Sequence, residues 1–172
     1  MARVMSLAAA FAVAFAFARA AQAGPADPVP LLNGTTRATH VFTGSGVRID
    51  ANTGLVVLCT SLEKSKDVMM AVEVYQWDAT VLNDVATGIG VSLMTAPGRT
   101  ITWEVKNDGG GIAYTFGDVS IPSVGNVFQG SFRVLSTSTK ITCSAANIDR
   151  TNSPPNFVWP LNLIAKTKQK GV

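Results

Sequence analysis

From residue 39 onward, apolar and polar positions alternate in short runs instead of recurring every three to four residues, which predicts strands and no helix of ordinary length. The segment VMMAVEVYQW (68–77) divides most cleanly. Val68, Met70, Val72 and Val74 fall on one side, and Met69, Ala71, Glu73, Tyr75 and Trp77 on the other, so the first set is assigned to the core. GLVVLCTS (54–61) is apolar on both parities around Val57, the mark of a strand inside a sheet. In RTITWEV (99–105), Ile101, Trp103 and Val105 are read inward and Thr100, Thr102 and Glu104 outward. GSFRVLST (130–137) and TKITCSAANID (139–149) read as a strand pair, with Phe132 and Val134 inward on one, and Ile141, Cys143 and Ala145 sharing a parity on the other.

Turn residues punctuate these runs. THVFT (39–43) stops at Gly44-Ser45-Gly46, Glu63 to Asp67 forms a charged hairpin tip, and Pro97-Gly98 suits the centre of a type II turn, making a hairpin of GVSLMT (90–95) and the strand after it. The stretch from Asn107 to Asn126 is looser, Ser153-Pro154-Pro155 breaks the chain, and Pro160 places FVWPLNLI (157–164) at an edge. Eight or nine strands without an internal repeat predict an all-β chain with a single antiparallel β-sandwich over residues 38–164. An immunoglobulin-like order is one arrangement it admits. The proline-rich segment 24–37 is an extended lead-in, and 165–172 a basic C-terminal tail.

The first 23 residues read differently. Arg3 precedes an apolar run from Leu7 to Ala18, and Ala21-Gln22-Ala23 is a small-x-small cleavage site, the three parts of a secretory signal peptide. The run is shorter than the roughly 20 residues a spanning helix needs, and no other stretch qualifies as a transmembrane segment. No cysteine is placed for lipid attachment, so the expected product is secreted or periplasmic. Two of the 14 Lys and Arg residues, Arg3 and Arg19, belong to this segment, which leaves 12 bases against 11 acids. The mature chain is therefore close to neutral, and nothing in its charge calls for nucleic acid.

Export also bears on the two cysteines. In an oxidising compartment Cys59 and Cys143 are expected to form a disulfide. Catalytic sets are scarce: His40 is the one histidine, no G-x-S-x-G is present, and one His with two bridged Cys makes no zinc site, so no catalytic residue, metal or cofactor is assigned. His40 is placed on a surface or edge strand. Asp78 and Asp84 bracket DATVLND with Asn83 beside them, but the spacing lacks the pattern of an EF-hand loop and suits turn residues better.

The aromatic residues carry a further expectation. With Val72 and Val74 inward, Tyr75 and Trp77 stand together on the outer face beside Glu73, a stacking platform for a sugar ring or an apolar patch, with Asp78 and Asn83 nearby as further ligand-binding candidates. Trp103 and Trp159 are assigned to buried parities, and Phe42, Phe116, Phe128, Phe132 and Phe157 to the core. LVVLCTS, VEVYQWDA, APGRTITWE and GSFRVLSTSTKITCSAANID, in this order, resemble a group of exported bacterial β-rich proteins, over residues 38–164. The likeness implies export and a β-domain, and it implies no activity. Together these features predict a non-enzymatic exported β-sandwich, a periplasmic or surface accessory protein whose partner is a protein or a glycan. The alternatives are a carbohydrate or cell-wall module using Tyr75 and Trp77, and a hydrolase using Asp78 and Asp84.

Overall fold

The computed structural model describes residues 24–25, 28–86, 91–108, 112, 117–121 and 124–166; the signal-like segment 1–23, most of the basic tail and Phe116 lie outside them. The described residues form ten strands: β1 (Thr39–Ile49), β2 (Thr53–Ser61), β3 (Val68–Tyr75), β4 (Leu93–Thr95), β5 (Thr100–Val105), β6 (Val119–Ile121), β7 (Val127–Ser136), β8 (Ile141–Asp149), β9 (Val158–Pro160) and β10 (Leu163–Ala165). They make two five-stranded sheets in the orders β10-β1-β7-β3-β4 and β6-β5-β2-β8-β9. Among the described residues no helix is long and apolar enough to cross a membrane.

One core is shared by both sheets. The first contributes Val47, Met70, Val72, Val74, Phe132 and Val134, the second Leu55, Val57, Ile101, Trp103 and Ala145. The alternation of β3, β5, β7 and β8 thus assigns the inward set as the sequence does, because a side-chain period of two puts alternate residues on one face.

Strand partners differ from expectation. The Glu63–Asp67 segment carries the chain from β2 in one sheet to β3 in the other and is not a hairpin tip. Pro97-Gly98 does turn, with Gly98 at φ 73° and the Arg99 N–H bonded to the Ala96 carbonyl at 3.2 Å. Beyond it, however, Ser61 accepts the Gly98 N–H and donates to the Arg99 carbonyl, drawing the chain onto β2; β4 and β5 therefore belong to different sheets. The strands at 130–137 and 139–149 likewise separate into β7 and β8 of opposite sheets. One pair, β5–β6, is parallel. The expected stop at Gly44-Ser45-Gly46 is absent, since β1 runs through it. Gly44 is required there because a Cβ would lie 2.2 Å from the Phe132 ring, and Gly46, at φ 80°, sits at a register shift.

Cys59 and Cys143 form the disulfide, as directly opposed residues of the neighbouring strands β2 and β8. It staples two strands of one sheet, whereas an immunoglobulin-type bridge joins two sheets.

The four edge strands β10, β4, β6 and β9 have three residues each, so stretches of the longer strands beside them lack a strand neighbour among the described residues. Two such stretches are closed by asparagine side chains. Asn83 Oδ1 accepts the Val74 N–H and its Nδ2 donates to the Val72 carbonyl, both at 2.7 Å. Asn147, on β8, reaches across to β1, accepting the Arg48 N–H at 3.1 Å and donating to the Gly46 carbonyl at 2.8 Å. A carboxamide offers the same donor and acceptor as a peptide group, so each caps an edge otherwise exposed to strand addition.

Candidate functional site

The register places five connections at one end of the two sheets. Tyr75 pairs with Ser131 and Ile49 with Val127 in the first sheet; Thr53 pairs with Asp149, Leu55 with Val105, and Ile148 with Val158 in the second. Residues 50–52, 76–80, 106–108, 124–126 and 150–157 therefore cluster together. Loops gathered at one end of a β scaffold are where such proteins commonly carry binding residues.

A polar network ties these loops together. Gln76 Nε2 donates to the Asn126 carbonyl at 2.8 Å, and Asn107 Nδ2 to the Asn126 Oδ1 at 3.1 Å. The Arg150 guanidinium donates to Asn107 Oδ1 and Asp108 Oδ2, and the Arg150 N–H bonds the Asn52 carbonyl at 3.0 Å. Lys106 pairs with Asp108 at 3.5 Å, and Arg48 with Asp50 at 2.8 Å. Asp50 accepts the Asn52 and Thr53 N–H groups, both at 2.9 Å. Asp149 organises the 150–157 loop by accepting the N–H groups of Thr151 and Asn156, each at 2.9 Å, and the side chains of Thr151 and Asn152. The Asn156 and Thr151 N–H groups, foremost, hold the Asp149 carboxyl well below its usual range.

Trp77 projects from this end at 75% exposure. Its turn is fixed by the Gln76 N–H to the Thr80 carbonyl at 2.9 Å, the Ala79 N–H to the Gln76 carbonyl at 3.1 Å, and the Thr80 N–H to Asp78 Oδ1 at 3.0 Å. That last bond, first among the causes, lowers the Asp78 pKa. Phe128, expected in the core, is exposed near the start of β7; Trp159, expected buried, is half exposed and stacks on Phe157 with ring centroids 4.4 Å apart. Trp159 pairs in register with Asn147 at the edge strand β9, beyond which no further strand lies among the described residues.

The other sequence candidates lie elsewhere. Tyr75 is on the outer face beside Glu73, as its parity requires, but fully buried; its hydroxyl donates to Glu73 Oε2 at 2.7 Å, so it forms no open platform with Trp77. Arg133, facing Glu73 across β3 and β7, donates to the same oxygen at 2.6 Å, and its guanidinium lies 5.6 Å from the Tyr75 ring centroid. Close by on that face, Leu32 of the lead-in and Val85 pack against Ala71 and Leu135. Asn83 is buried and its amide serves the β3 edge, while Asp84 accepts the Ala86 N–H of its own turn.

His40 is buried, not at a surface or edge; it pairs with Leu135 of β7, and β10 covers the other side of β1 from Phe42 onward. Its Nε2 lies 2.7 Å from Thr43 Oγ1 and 3.1 Å from the Phe42 carbonyl, and its Nδ1 has no partner among the described residues. Burial first, then the charges of Lys166 and Arg133, lower its pKa below 6.5. Among the described residues no three His, Cys, Asp or Glu side chains converge as a metal set.

Arg150, Asn107, Asn126 and Gln76 carry no sequence motif. The signal that would have drawn notice to them is their position, one or two residues outside a strand end. No family model matches the chain, and neither does any curated protein or solved structure.

Proposed function

We propose that this is an exported, non-enzymatic β-sandwich protein that acts by binding, as a periplasmic or surface accessory protein, and that its contacts are made through the loop end bearing Trp77. The observation that carries this is Trp77 itself, an indole held out to solvent on a hydrogen-bonded turn. Covering ~150 Å² of such a ring is worth on the order of 3–4 kcal/mol at 25 cal/mol per Å². Because the turn is already ordered, little of that gain is spent on fixing its geometry. The Cys59–Cys143 disulfide is compatible with an oxidising compartment, in keeping with the signal-like first 23 residues. A carboxylate hydrolase finds less support, since Asp78 and Asp84 each hold a local turn N–H.

The test uses the full chain expressed with its own leader and recovered after export. Mass spectrometry should show an N-terminus at Gly24. The recovered protein should be retained on isolated cell-envelope material, Trp77→Ala should abolish the retention without lowering Tm, and ester, glycoside and peptide substrates should stay intact. Turnover removed by a single substitution such as Asp78→Asn, or retention indifferent to Trp77, would overturn the proposal.

A further inference from the structure

The chemistry surrounding Trp77 narrows what the loop end would hold. Its cations are matched: Arg48 lies on Asp50, and Arg150 and Lys106 lie on Asp108. The Arg150 and Lys106 side chains are also only 13% and 7% exposed, so neither offers an open charge to an anionic polymer, and Arg48, the exposed one of the three at 54%, is neutralised by Asp50. Beside Trp77 stand amides and a carboxylate: Gln76, Asp78 and, bonded to Gln76, Asn126.

Each primary carboxamide has two N–H donors and two acceptor lone pairs. Gln76 commits one N–H to the Asn126 carbonyl, and Asn126 commits one lone pair of Oδ1 to Asn107. Both side chains keep donor and acceptor capacity, the combination that adjacent hydroxyls on a ring require. Phe128, two residues along from Asn126, adds a second exposed aromatic ring at this end. Sugar rings present C–H groups on their faces and hydroxyls around their rims, so aromatic planes flanked by amides match both.

We infer that the ligand of this end is an uncharged polysaccharide, stacked on Trp77 and hydrogen-bonded by Gln76 and Asn126. This rests on the loop end being the binding surface at all. Calorimetric titration of the exported protein with maltohexaose, cellohexaose and N-acetylchitohexaose, and with hexagalacturonate as the charged control, tests it.

At least one neutral oligomer should bind saturably and hexagalacturonate should not. Trp77→Ala should weaken binding by at least about tenfold with Tm unchanged, and Asn126→Ala by about three- to tenfold. Met94→Ala, which alters an exposed side chain paired with Met69 toward the opposite end of β3, should bind as wild type. Absence of binding to all three neutral oligomers, preference for hexagalacturonate, or full affinity in Trp77→Ala overturns the inference. If the neutral oligomers fail while Trp77-dependent retention on envelope material persists, the polysaccharide assignment falls alone. If retention fails too, the binding function falls with it.

Discussion

Replacing Asn83 removes one residue and exposes two backbone groups of β3, which makes its cost predictable. Asn83 is fully buried, and both its bonds, to the Val74 N–H and the Val72 carbonyl, are 2.7 Å long. Asn83→Ala leaves that N–H and carbonyl without partners. Each buried orphan costs about 1–3 kcal/mol, so the loss should be about 2–6 kcal/mol, a large part of the roughly 5–15 kcal/mol that stabilises a domain. Asn83→Asp separates the two contributions. An ionised carboxylate still accepts from Val74 but faces the Val72 carbonyl with no donor, while a protonated one regains the donor. Its deficit relative to wild type should therefore shrink as pH falls from 7 toward 4. Urea unfolding followed by circular dichroism gives both numbers, and the slope m should match wild type, since the surface exposed on unfolding is unchanged. A loss below about 0.5 kcal/mol in Asn83→Ala, or a pH-independent deficit in Asn83→Asp, would refute the edge-capping role.

Arg133→Met should cost about 3–5 kcal/mol in urea titrations because it strands Glu73 in a buried site, whereas Glu73→Leu with Arg133→Met should cost less than the single change; equal losses would argue against a buried ion pair. Cys59 and Cys143 lie 84 residues apart, and removing their bridge as the double Ala variant should lower stability by about 4–5 kcal/mol through the entropy of the denatured chain, with a larger m; a loss under about 1 kcal/mol would contradict this. The pH dependence should have two limbs. His40 is favoured neutral in the fold, so stability begins to fall as pH drops below about 6.5 and levels off beneath the lowered folded value; His40→Gln should flatten this limb, and an unchanged slope in that variant would refute the assignment. Asp149, with its pKa depressed, contributes stability fully above about pH 3.8 that is lost as pH falls through its folded value, so Asp149→Asn should flatten the acid limb of a Tm-against-pH series.

Strand existence and facing were legible because both follow from a period of two. The inward sets Val68, Met70, Val72, Val74 and Ile101, Trp103, Val105 are core residues as read. Partnership was not legible, because alternation states which face of a strand is buried and is silent about which strand lies beside it. The Pro97-Gly98 turn shows this: its local conformation follows from Pro and Gly chemistry, yet whether the chain then pairs back or crosses to the other layer is decided by Ser61, far away in sequence. Gly44 was read as a breaker on the same local grounds, when the Phe132 ring packed over its Cα requires a glycine inside a strand.

Trp77 and Tyr75 show where such reasoning ends within the site. They share a parity, and the outer face of β3 does hold Tyr75 beside Glu73, but that face is enclosed and the strand ends at Tyr75. Past that residue the Gln76–Thr80 turn replaces the strand period, so Trp77 is directed by turn hydrogen bonds and stands in solvent. Asn83 looked like one more turn residue because the backbone it serves is β3, nine and eleven positions earlier, and Asn147 serves a strand about a hundred positions earlier. Arg133 and Glu73 were each readable as outward residues of a strand. Only the pairing of β3 with β7 turns two surface charges into one buried bond, and that bond in turn fixes the Tyr75 hydroxyl beneath the end from which Trp77 projects. The polar residues of this sequence thus act across strand pairings, and a binding surface made from the ends of those strands inherits its geometry from them.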